Sequence, residues 1–136
     1  MLTFYNAIAN DGKMVQPQLY KGTMEVINPQ IASKANIGNI KEALIEHTVE
    51  GLDKTSYPES VPIAGKQGFI ELSIGDNETE FALEFCGYFP VDNPQYSIIV
   101  SLNKMGLPVG GGLIANDVCK QIVNYMIDKQ SYFDCN

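Results

Sequence analysis

The chain has 136 residues, which suits one domain with a modest core, and 45% hydrophobic with 18% charged residues is a globular composition. Nine lysines and no arginine stand against sixteen acidic residues, a net charge of -7 that repels phosphate backbones and argues against nucleic-acid binding. No apolar run approaches the roughly 20 residues of a membrane span, and the first residues lack the basic-then-apolar pattern of a signal peptide.

In chain order, Leu2 to Asn10 reads as a helix with Leu2, Phe4, Tyr5, Ile8 and Ala9 on a broad apolar face, ended by Asp11-Gly12. Met14 to Met24 reads as an extended connection broken by Pro17. Ser33 to Asn36 offers helix N-caps, and Ile37, Ile40, Leu44, Ile45 and Thr48 share a helical face as far as about Glu50, where Gly51 closes the helix. A loop with Pro58 and Pro62 leads into three strands. They are Ile63 to Ile74, Glu80 to Tyr88 and Gln95 to Leu102, joined by turns at Gly75-Asp76-Asn77 and at Pro90 to Pro94. Such short connections imply an antiparallel meander. After Gly110-Gly111-Gly112, Leu113 to about Ile127 is a helix with Ile114, Val118, Ile122 and Met126 at helical spacing. The expected fold is α+β: one domain over 1–136, a three-stranded antiparallel sheet with three helices.

Several of these segments, taken in order, resemble the C-terminal part of the transpeptidase domain of class B penicillin-binding proteins, the cell-division or elongation type, the Bacteroides proteins among them. Leu2 to Val15 is similar to the family's helix and turn after its second catalytic motif. Ile63-Ala64-Gly65-Lys66-Gln67-Gly68 stands where the family has its lysine-threonine-glycine strand. Phe85 to Pro90 followed by Asp92 to Tyr96 is similar to the next hairpin, and Gly110-Gly111-Gly112 before an apolar helix is similar to the closing element.

The resemblance implies an acyl-serine reaction on the D-Ala-D-Ala end of a peptidoglycan stem peptide, blocked when a β-lactam acylates the same serine. It implies substrate-binding roles for Lys66, Gln67 and Gly68, no cofactor, and a place on the periplasmic face of the inner membrane. It also implies that the serine-lysine and serine-asparagine motifs lie upstream of Leu2, so the chain is expected not to be catalytic alone. Gln67 replaces the threonine that binds the substrate carboxylate, and Phe69 follows the glycine where a small residue is usual. The rival expectation is a noncatalytic remnant that binds peptide or a partner chain along a sheet edge.

Other patterns have blander readings. Ser101-Leu102-Asn103-Lys104 matches Ser-x-x-Lys only formally, because the chemistry needs the serine at the head of a helix. The glycine triplet lacks the lysine of a phosphate loop. His47 reads as a solvated helix residue with no serine or cysteine beside it, and Glu42 and Glu46 as a wet face. Cys86, Cys119 and Cys135 have no metal-ligand spacing and read as two buried thiols and one tail thiol, so no metal is expected. Small residues around Lys66 are expected to let a ligand backbone approach. The last strand, an uncharged Ile98-Ile99-Val100 run, is expected to leave one edge open and to support a homodimer.

Overall fold

In the computed structural model, residues 1–20, 22–50, 61–73, 79–106 and 113–133 are described. Helix α1, Leu2–Ala9, buries Ala7 and Ile8. It stops because Asp11 (φ 53°) and Gly12 (φ 99°) both turn left-handed, and the Gly12 amide reaches back to the Ala7 carbonyl at 2.7 Å. Lys41, from the next helix, secures this end, donating to Asp11 Oδ1 at 2.5 Å and to the Ala9 carbonyl at 3.3 Å. The segment expected as a plain connection opens a short hairpin instead. Strand β1, Met14–Val15, pairs with β2, Val26–Asn28. All of β2 is exposed, so no alternation marked it in the sequence.

Helix α2, Lys34–Ile45, begins at Ser33, whose hydroxyl accepts from the Asn36 amide at 3.2 Å. The expected run to Glu50 is helical throughout, but Glu46–Glu50 forms a π turn. Within the expected face Ile37 and Thr48 are buried, whereas Ile40 is exposed.

Strands β3 (Ala64–Ser73), β4 (Thr79–Phe89) and β5 (Tyr96–Met105) form one antiparallel sheet in the order β3-β4-β5. Register runs from Ala64↔Tyr88 to Ser73↔Thr79 and from Glu80↔Met105 to Phe89↔Tyr96. β5 extends three residues past the expected Leu102, because Asn103, Lys104 and Met105 find ladder partners on β4 although their exposed side chains carry no burial pattern. The turn expected at Gly75-Asp76-Asn77 and the glycine triplet at 110–112 lie outside the described residues.

Helix α3, Leu113–Phe133, covers one sheet face and α1 with α2 covers the other. α3 outlasts the expected Ile127 because Asp128-Lys129-Gln130 contains no breaker; Lys129 Nζ lies 5.6 Å over the Tyr125 ring. Its core line is also rotated from the expected one. Ala115, Cys119 and Val123 are buried against Leu83, Phe85, Phe89 and Val100, while Ile122 is 40% exposed. Small side chains let α3 sit close over the large ones that β4 projects. Phe81, Leu83 and Phe85 are buried, so this face of the sheet is covered.

Candidate functional site

Strand β3 is an edge of the sheet among the described residues, and it carries Lys66, Gln67 and Gly68. Alternation sends consecutive side chains to opposite faces. Lys66 lies on the α1/α2 face and is exposed; its cross-strand partner is Cys86. Gln67 is on the α3 face, where its Oε1 accepts from Asn116 Nδ2 at 2.6 Å. Asn116 is completely buried, so this bond satisfies a donor that could not reach water. The sequence does not signal Asn116, which stands 49 residues from Gln67 and off the helix line expected to be apolar.

The three glycines near Lys66 differ. A Cβ on Gly65 would meet Phe85 Cζ at 2.5 Å, the Cys86 carbonyl at 2.6 Å and Gly87 Cα at 2.9 Å. Gly87 is Gly65's cross-strand partner and is equally tight against the Ala64 carbonyl, at 2.5 Å. The Phe85 ring lies over this glycine pair. Gly65 thus serves internal packing, which corrects the expectation that it opens room for a ligand. Gly68 is different: a Cβ there would meet only Glu84 Cβ, at 3.9 Å. Phe69, beyond it, is 45% exposed and stacks on Phe81 with centroids 5.2 Å apart.

His47 is not the solvated helix residue that its sequence context indicates. It is half-buried on the π turn, with Nε2 at 3.3 Å from Lys66 Nζ. The expectation failed because helical spacing places neighbours within one element, whereas this contact joins two. Glu42 and Glu46 are exposed, as expected of a wet face.

Nucleophile chemistry finds little support among the described residues. Ser101 lies within β5 and donates to Glu84 Oε1 at 3.1 Å, two strands from Lys66. Lys104, three residues on in the same strand, points to the opposite face, so the formal Ser-x-x-Lys match does not assemble. The Ser97 hydroxyl accepts from Asn6 Nδ2 at 3.1 Å. Burial pushes the Cys86 thiol up to about 11 and the Cys119 thiol up to about 12. Both thiols are therefore protonated at neutral pH and unreactive. They are buried on opposite sides of the sheet, Cys86 beneath Lys66's face and Cys119 in the α3 layer; Cys135 lies outside the described residues. The arrangement can bind, with a cation, an adjacent hydrogen-bond acceptor and an open strand edge.

Comparison with known proteins identifies the family to which this fold belongs. Residues 1–124 match the penicillin-binding protein transpeptidase domain, and the chain belongs to that family. A curated relative, the peptidoglycan D,D-transpeptidase FtsI homolog of Chlorokybus atmophyticus, is 26% identical over 125 residues, covering 85% of this chain and 18% of the relative. Solved structures share the fold. The transpeptidase domain of penicillin-binding protein 3 from Burkholderia pseudomallei has TM-score 0.75 and 21% identity, over 95% of this chain and 41% of that one. A peptidoglycan synthetase from Bifidobacterium adolescentis has TM-score 0.73 and 20% identity, over 96% of this chain and 26% of that one. The chain thus spans well under half the length of the relatives it matches.

Proposed function

We propose that these residues form the substrate-strand lobe of a D,D-transpeptidase that crosslinks peptidoglycan stem peptides on the periplasmic face of the inner membrane. The nucleophilic serine would come from outside the 136 residues, and the lobe would not be catalytic by itself. The observation that carries this reading is the position of Lys66. It is exposed on the edge strand β3, and no described carboxylate pairs with it. An extended peptide laid along β3 would gain main-chain hydrogen bonds, its approach eased by the open space at Gly68, while Lys66 attracts its carboxylate. Gln67 is the weak point of such a site, because its carbonyl oxygen is held by Asn116.

A noncatalytic module that binds peptide along the same edge is the second reading, and the engagement of Gln67 by Asn116 favours it. We also propose that the chain self-associates through the outer edge of β5.

Fluorescent-penicillin labelling followed by intact mass tests the first reading. The 136-residue chain should take up no adduct, whereas the open reading frame containing it, read upstream of Leu2, should label on a serine. In that longer polypeptide, Gln67→Thr should speed acylation by roughly tenfold or more, the worth of one charge-assisted hydrogen bond. A stoichiometric adduct on the short chain would overturn the proposal. An unlabelled longer chain would support the noncatalytic module.

A further inference from the structure

His47 stands where it does because of its neighbour. Thr48 is 1% exposed, and its hydroxyl donates to the Ile63 carbonyl, one residue before β3 begins. The Leu44 and Ile45 carbonyls lie at 3.0 and 3.3 Å from the same hydroxyl, which has one proton to give. The π turn is thereby tied to the root of β3. A π turn takes in one residue more than an α turn, which swings the following side chains off the line of α2. His47 leaves that line and meets Lys66 at 3.3 Å.

An ammonium has donors and no lone pair, so in this contact Nε2 of His47 is the acceptor and the ring proton sits on Nδ1. The identity of the partner matters. A carboxylate at this place would also hold the lysine, but it would cancel the charge. A neutral imidazole takes one of the three N–H donors and leaves the positive charge intact. It also restricts a long flexible chain before a ligand arrives, which lowers the ordering cost of binding.

We propose that His47 is a positioning residue for Lys66: its neutral Nε2 holds the ammonium at the edge of β3, aimed with its charge and remaining donors at the carboxylate of a bound peptide. This inference rests on the reading of β3 as a substrate strand.

Long-range 1H–15N correlation on the chain at about pH 8, where an unperturbed imidazole is neutral, reports the tautomer directly. His47 should be protonated on Nδ1, and Lys66→Met should return it toward the Nε2–H form usual for exposed histidines. Protonation on Nε2 in the unaltered chain, or no response to Lys66→Met, overturns the proposal. Binding is then followed by titrating N-acetyl-D-alanyl-D-alanine and watching the amide signals of Lys66 and Gly68. His47→Leu should weaken binding by about three- to tenfold, His47→Gln, which keeps an acceptor, should stay within about twofold, and Lys66→Met should lose most of the affinity. Unchanged affinity in His47→Leu overturns the positioning role while leaving the strand reading intact. No binding by the unaltered chain, or unchanged binding in Lys66→Met, overturns the strand reading instead, and the tautomer then decides the pair alone.

Discussion

Tyr88 is among the largest fully buried side chains, packed with Ile8 and Ala64 between the sheet and α1, and its hydroxyl has no hydrogen-bond partner among the described residues. A buried, unpaired hydroxyl costs about 1–3 kcal/mol. Tyr88→Phe should therefore stabilise the fold by about 1 kcal/mol, raising Tm by roughly 3–5 °C. Burial, aided by the Asp11 carboxylate, pushes the phenol from 10.0 up to about 12. The folded state thus keeps its proton where the unfolded chain releases it. Below pH 10 this ionisation leaves stability unchanged, and as pH rises from 10 toward 12 it adds a growing cost to folding. Thermal melts at neutral pH and about pH 11 check both points: the variant should melt higher at neutral pH, and its advantage should widen at the alkaline one. A variant that melts lower at both contradicts the account. At this scale the sequence was legible where a residue's role is local. A contiguous motif marks Lys66, Gln67 and Gly68 as candidates. The roles of His47 and Asn116 and the burial of the Tyr88 hydroxyl could not be read in this way, because each depends on neighbours brought from another element, 19 residues away for His47 and 49 for Asn116.

Elements repeat the pattern. The starts of the three helices and the three long strands were readable within one or two residues, since burial imposes a period on the sequence, whereas α3 runs on past the expected Ile127 to Phe133. The β1–β2 hairpin, the π turn and the outer third of β5 were not, since each is held by backbone pairing or by a single hydroxyl and leaves no apolar period. The glycines of β3 make a test at this scale. Gly65 faces backbone atoms that cannot retreat without parting β3 from β4, so Gly65→Ala should cost about 3 kcal/mol. Gly68→Ala adds a methyl group at ordinary contact distance and restricts the unfolded chain, so its stability should match or exceed the starting protein by up to about 0.5 kcal/mol. Urea titration of the two variants separates them. Equal losses would mean that the Phe85 ring and the β4 backbone yield more readily than the packing implies.

For the whole molecule, the open question is what happens along β5. Its inner side is paired with β4 from Tyr96 to Met105, and its outer side carries no ladder among the described residues. Unpaired strand edges invite another chain unless charge, proline or a bulge protects them. Lys104 supplies charge at one end, but Ile98, Ile99 and Val100 supply none, and Ile99 is 39% exposed. Burial of Leu83 and Phe85 beneath α3 covers much of that sheet face and weakens the competing route to association, in which two sheet faces stack. What remains is edge pairing. A second copy placed antiparallel about a two-fold axis satisfies both edges at once and leaves no free edge to propagate. Sedimentation velocity should show a dimer at micromolar concentration. Ile99→Lys places a charge on the edge without touching the β4 ladder, and it should return the chain to a folded monomer, with circular dichroism confirming the fold. A monomer across that range in the starting chain would end the proposal. A dimer that persists in folded Ile99→Lys would place the contact elsewhere, with the exposed Phe69, Ile70 and Leu72 of β3 as the next surface to alter.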